Sequence, residues 1–146
     1  MRHVWGWLVI ASFGLALIGI SHYGASKPPD IVVKSGNISL ITKSGGYEWR
    51  DDHQALVADG TAPEQIAEKM KGDELKSKTP IILSFADDSH PQVKLYLWKN
   101  EKRERVKSVT SQAFTTPDEG GRYIYEATAL WEKGKATYIF VVNVKE

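Results

Sequence analysis

Apolar residues follow two different rhythms along this chain. From Val4 to Ile20 the residues VWGWLVIASFGLALIGI run on without a charge or a proline. A helix that is apolar on every side has no place on a small soluble domain, so the run predicts a membrane-spanning helix. At about 1.5 Å per residue it reaches about 25 Å, slightly less than the ~30 Å hydrocarbon layer. Trp5 and Trp7 at one end and Tyr23 at the other are rings of the kind that settle at membrane interfaces. Arg2 and the small residues Gly19 and Ser21 also fit a cleaved signal peptide. Two features favour an uncleaved anchor: the run exceeds the usual apolar region of about 7 to 15 residues, and Tyr23 suits a cut after Ala25 poorly. Either reading exports the C-terminal part of the chain.

Beyond Pro28-Pro29 the rhythm becomes alternation. Ile81, Leu83 and Phe85 share one parity, as do Val93, Leu95 and Leu97. A slip of one residue would expose either set, so the register of both strands is well specified. IVVK opens the region, and NISLIT and YEWR around Ser44-Gly45-Gly46 predict a hairpin. ERVKSV reads as a further strand after a polar turn over Lys99 to Arg103. Arg122 to Trp131 and Ala136 to Val144 predict a long hairpin turning at Glu132-Lys133-Gly134-Lys135. In its second strand Tyr138, Phe140, Val142 and Val144 alternate with Thr137, Ile139, Val141 and Asn143. Two largely apolar parities imply a central strand, or one whose outer face is covered. A single helix interrupts the pattern. Thr61 and Glu64 have capping-box spacing, Pro63 fits the first turn, Ile66 and Met70 share a face and Gly72 can end it. It is expected to cover an open end or edge of the sheet.

Together these elements predict a mainly β chain: an N-terminal transmembrane anchor (or signal peptide) over 1–23, a linker over 24–30, and an antiparallel β-sandwich with one short helix over 31–146. No helical crossover recurs, which argues against a parallel sheet. Composition adds exclusions. After Lys27 there are 17 basic and 18 acidic residues, a formal charge of −1, so nothing in the balance points to nucleic acid. The absence of cysteine excludes disulfides, thiolate metal sites, thiol nucleophiles and a lipidated N-terminal cysteine.

Within the long hairpin, Glu119, Gly121, Tyr123, Tyr125 and Ala127 fall at alternate positions. This spacing resembles the E-to-F corner and F strand of immunoglobulin-like domains. The resemblance implies that Tyr123 is a corner tyrosine whose hydroxyl bonds backbone a few residues upstream. It also implies that Tyr125 replaces the F-strand cysteine and that Leu83 replaces its B-strand partner. Trp98 lies on the parity opposite to Leu95 and Leu97, so a buried strand-C tryptophan is not implied. The layout of one span plus one such domain is similar to small exported, membrane-anchored proteins of Gram-positive bacteria.

Tyr123 and Tyr125, alternating with small residues, are expected in the core. Trp131, beside the turn, is expected half-exposed; with Trp49, Tyr96 and Trp98 it offers stacking surfaces for a sugar or peptide. Asp51, Asp52 and His53, and Asp87, Asp88 and His90, combine carboxylates with imidazoles, the ligand types of a Zn²⁺ or Ca²⁺ site. Ordinary turn chemistry, with each aspartate bonding its own backbone, is the stronger reading of both clusters. Lys99 to Lys107 carries five basic and two acidic residues, a solvated hairpin tip with some attraction for anionic surfaces.

The sequence thus predicts a single-pass cell-membrane protein whose extracytoplasmic domain acts by binding, as an accessory, sensor or adaptor in the envelope. Its expected partners are the membrane, through the N-terminal helix, and another envelope protein or a wall polymer; no cofactor is expected. The alternatives are a metal-dependent or hydrolytic enzyme using the His53 and His90 loops, and an exported protease inhibitor inserting a loop such as Thr115 to Gly120. No nucleophile paired with a base and an oxyanion donor can be traced, so an enzyme is not the expectation.

Overall fold

The computed structural model describes residues 26–52, 54–106 and 112–146. The predicted span from Val4 to Ile20 lies outside them. Among the described residues no helix is long and apolar enough to cross a membrane.

Two sheets pack face to face. The smaller contains β1 (Ile31–Ser35), β2 (Ile38–Ser39), β6 (Pro80–Phe85) and β9 (Ala113–Thr115) in the order β2-β1-β6-β9. The larger contains β3 (Thr42–Arg50), β4 (Ala55–Ala58), β5 (Asp73–Lys76), β7 (Gln92–Lys99), β8 (Lys102–Arg105), β10 (Gly121–Trp131) and β11 (Gly134–Lys145). Its order is β4-β3-β11-β10-β7-β8, and β5 joins the far half of β11 as the one parallel pairing among the described strands. The predicted antiparallel β-architecture with one short helix is therefore present.

The stretch from Tyr123 to Trp131 is the inner wall of the sandwich. Tyr125 is 2% exposed, stacks on Phe140 at 5.1 Å and 14°, and meets Phe114 of the opposite sheet at 5.1 Å. Ala127, Ala129 and Ala136 are buried beside it. Their small side chains leave room for Ile81, Leu83 and Phe85, which belong to the same core. Tyr125, Leu97 and Phe140 lie in register across three strands, as the alternation requires. Leu95 is buried, whereas Val93 and Leu97 are partly so.

The outer face of β11 is apolar because a helix covers it. Ile139 and Val141 are buried with Ala67 and Met70 in a second, smaller core, bordered by Ile66 and Ile124. Helix α1 (Pro63–Glu68) thus lies across β10 and β11, not over an end or edge of the sheet as expected. Six residues make at best a marginal helix alone. Burial of Ile139 and Val141, worth about 1.5 to 3 kcal/mol each, holds it down. The predicted capping box does not form. Ala62 is the N-cap and makes no side-chain cap, while Pro63 does occupy the first turn. The sheet supplies the C-terminal cap instead. Arg122 Nη2 donates to the carbonyls of Ala67 and Met70, both at 2.7 Å, and Arg122 Nη1 and Asn143 Nδ2 donate to Lys71 O, both at 3.0 Å. Gly72 follows in the left-handed region, φ +81°.

Other local expectations are corrected. Ser44-Gly45-Gly46 is not a hairpin turn but lies inside β3, where the register against β11 shifts between Thr137 and Tyr138. The glycines serve close backbone approach: a Cβ on Gly60 would stand 1.6 Å from Gly45 O. NISLIT contributes the two-residue β2, turned back on β1 through Gly36, and Thr42, the first residue of β3. The polar turn over Lys99 to Arg103 shrinks to Asn100-Glu101, with φ of +52° and +60°, so β8 starts earlier than predicted. Such a doubly positive turn matches strand twist. The end of ERVKSV lies outside the described residues. Strands β4, β5 and β9 were not foreseen.

Pro28 to Asp30 pack on the sandwich. Pro28 is buried, the Tyr138 hydroxyl donates to Pro29 O, and Ala86 N donates to Asp30 O at 2.9 Å. The chain therefore enters the domain beside the β10–β11 turn.

Candidate functional site

The four aromatics suggested by sequence separate into two places. Trp49 and Trp131 lie on the inner parity, at the end of the core. Trp49 is 5% exposed and meets Trp131 edge-on at 5.3 Å, and Trp131 meets Phe85 at 5.0 Å. Trp131 is half-buried, as expected, and its Nε1 donates to Ser89 Oγ at 2.8 Å. Tyr96 and Trp98 are on the outer face of the larger sheet. The structure does not bring the four together.

The two acidic loops show turn chemistry. Asp51 Oδ1 accepts from Gln54 N at 2.8 Å, and Asp87 Oδ1 accepts from Ser89 N at 3.1 Å and from Ser89 Oγ at 2.6 Å. The Ser89 hydroxyl holds the Asp87 carboxyl below its usual range. Asp52, Asp88 and His90 are exposed, and Asp88 is left-handed at φ +57°. His53 lies outside the described residues. Among those described, no three His, Asp or Glu side chains are grouped to hold a metal ion. Ser89, bonded to Asp87 and Trp131, has its hydroxyl engaged in this loop.

Tyr123, near the start of β10, is only partly buried at the margin of the core, rather than within it as expected. Its hydroxyl donates to Glu119 O at 2.8 Å, the bond that the resemblance implied.

The most organised polar group was not singled out by sequence. Glu126 projects from β10 on the parity opposite to Tyr125, yet it is only 5% exposed. Trp98 Nε1 donates to its Oε2. Arg103 Nη1 donates to Oε1 at 3.1 Å, and Thr128 Oγ1 lies 3.4 Å from the same oxygen. Arg103 also lies over the Tyr96 ring, 4.3 Å from its centre. Strand register makes the cluster: Glu126 sits opposite Tyr96, and Trp98 sits between Ile124 and Arg103. A buried carboxylate is tolerable only when its oxygens are bonded, and here both are. The signal available in sequence was the one carboxylate in a largely apolar strand, across from the two aromatics of β7 that break that strand's apolar parity.

Beside this cluster a cleft of about 630 Å³ opens between α1 and the β7–β8 turn. Glu64, Gln65 and Glu68 of the helix form one wall, Trp98 and Ile124 lie on the sheet side, and Glu101 of the turn contributes to the other wall. Arg122 also borders it, with its guanidinium committed to the helix carbonyls. A second hollow of about 410 Å³ lies at the opposite end of β10, among Lys27, Pro29, Trp49, Asp87, Trp131 and Lys133.

Comparison with family models, with characterised proteins and with solved structures returns no match to this chain. The site therefore rests on its own chemistry.

Proposed function

We propose that this chain is a membrane-anchored, extracytoplasmic binding module with an immunoglobulin-like domain, which engages another envelope protein through the cleft between α1 and the β7–β8 turn. The carrying observation is Glu126. A carboxylate buried on the outer face of a sheet adds little to folding that an apolar residue would not, but it fixes Trp98 and Arg103 in one arrangement beside an open cleft. Pre-setting a rigid aromatic in this way lowers the ordering cost of binding. The Tyr123–Glu119 bond and the strand order β8-β7-β10-β11 support the immunoglobulin-like reading. The apolar run from Val4 to Ile20 supports the anchor.

The test uses the full chain in its own envelope with a C-terminal tag. The tag should stay in the membrane pellet through an alkaline wash and be cleaved by protease added to intact spheroplasts. A photo-crosslinker at Gln65 should capture a partner that one at Ile82, on the outer face of the smaller sheet, does not. A chain released by the wash, a protected tag, or equal capture at both positions overturns the reading.

A further inference from the structure

Building on the cleft assigned above, we infer that its occupant is a lysine-bearing extended segment of a partner polypeptide, with an ammonium group seated against Trp98 between the carboxylates of Glu64, Glu68 and Glu101. Three carboxylates border the cleft. Arg122 is the one cation among the lining residues, its guanidinium held in place by three carbonyl oxygens of the helix end, and Arg103 nearby is paired with Glu126. Lys99 and Lys102 pair with each other on the parity opposite to Trp98, so they belong to the other face of the sheet. Arg105, opposite Tyr96, shares the face of Trp98 but lies two residues farther along β8 than Arg103. Three carboxylates against the single charge of Arg122 leave two negative charges uncompensated in the lining, so the cleft favours a cation over a phosphate or carboxylate. An aromatic ring flanked by carboxylates is the arrangement that holds an alkylammonium, combining cation–π attraction with charge pairing. The volume fits a side chain with part of its backbone.

Position chooses a polypeptide over a lipid headgroup as the source of the ammonium. The chain enters the sandwich through Pro28 and Pro29, where Lys27 and Pro29 border the Trp131 end of β10. The cleft borders Ile124, about 23 Å of strand away. In a chain anchored from its N-terminus, that end points away from the bilayer.

The experiment measures binding of a fluorescent peptide, acetyl-Gly-(Leu-Lys)3-Gly-amide, to the full-length chain in uncharged dodecylmaltoside micelles. The lysine peptide should bind, and peptides with glutamate or acetyl-lysine at the same positions should not. Binding should weaken severalfold as salt rises from about 50 to about 300 mM. The triple variant Glu64→Gln, Glu68→Gln, Glu101→Gln should lose about tenfold or more in affinity while keeping the wild-type melting temperature. The control triple Asp59→Asn, Asp118→Asn and Glu132→Gln, which removes three carboxylate charges elsewhere, should leave it unchanged. Equal binding by the triple variant, or equal loss in the control, overturns the inference. So does binding of phosphatidylethanolamine vesicles that depends on the same three carboxylates, which would make a headgroup the occupant. If Gln65 crosslinks to a partner through a segment without lysine, this inference falls while the binding module stands. If neither crosslink nor peptide binding appears, both fall.

Discussion

Arg122 on the outer face of β10 reaches the carbonyl oxygen of Ala67 at 2.7 Å, so a strand residue closes the C-terminal end of a helix more than fifty residues earlier in the chain. The same guanidinium serves Met70 and Lys71. One side chain thus joins the helix wall of the cleft to its floor. Ala67 O already accepts from Met70 N at 2.9 Å, and the Arg122 guanidinium adds a charged donor there and at the Met70 and Lys71 carbonyls beyond it; without its packing so short a helix would not persist.

Replacing Arg122 with Ala should therefore lower stability by about 2 kcal/mol, the scale of a hydrogen-bonded charge, read from urea unfolding. Amide exchange should accelerate first at Lys69 and Met70, whose N–H groups bond within the helix end. Arg122→Lys should recover only part of the loss, since a single ammonium cannot reproduce the planar fork across three acceptors. Uniform acceleration across both sheets would show that Arg122 holds the whole sandwich rather than the helix.

Alkaline conditions should unfold the domain. Burial pushes the Tyr125 and Tyr138 hydroxyls well above the ordinary phenol range, with the charges of Asp30 and Asp87 adding to the effect at Tyr138, and burial raises Tyr123 as well. The folded state then holds protons that the unfolded chain releases near pH 10. Stability from this source is complete below about pH 10 and falls as pH rises toward the folded values. Urea midpoints measured from pH 8 upward should be flat and then drop. Tyr138→Phe should flatten part of that drop, although it also removes the bond to Pro29. A midpoint that rises above pH 10 contradicts the assignment.

Two glycines should respond very differently to alanine. At Gly36, φ is +56° and nothing lies within 4 Å of an added Cβ, so the penalty is conformational alone, about 1 to 2 kcal/mol. At Gly134, φ is +151° and the Cβ would stand 2.0 Å from Glu48 O. Strand β3 must move, and Trp49 opposite Gly134 must move with it. Gly134→Ala should cost more than 4 kcal/mol or prevent folding, an outcome reserved for core or backbone clashes. Comparable thermal shifts for the two variants would refute the close approach.

The parts legible in sequence are those where periodicity and burial coincide. Ile81, Leu83 and Phe85, or Tyr123 to Trp131, each bury one parity against the facing sheet, and alternation is the imprint of that burial. The covered outer face of β11 was legible too, because Ile139 and Val141 made its second parity apolar. Strands β4, β5 and β9 carry three or four residues each, too few for a period, and exist because a neighbour offers its edge. Ser44-Gly45-Gly46 misled because a bulge and a turn call on the same residues. Glu126 was hidden for another reason. Its meaning comes from Trp98 and Arg103, which only strand pairing brings alongside.

That pairing supplies the final prediction, in which burial outranks distance. Lys145 and Glu74 approach to 2.8 Å, closer than the 3.1 Å between Arg103 and Glu126, yet both of the former are largely in water. Glu126 is buried, and half-exposed Arg103 is steadied by Tyr96. In a double-mutant cycle built from Glu126→Gln and Arg103→Lys, the pair should show a coupling of about 1 kcal/mol that survives moderate salt. The matching cycle at Lys145 and Glu74 should show none once salt is added, because water already screens it. Glu126→Gln should also shift the Trp98 indole N–H resonance, since that donor loses a charged acceptor and keeps a neutral one. A larger coupling at Lys145–Glu74, or an unmoved Trp98 resonance, would mean that Glu126 does not organise the outer face.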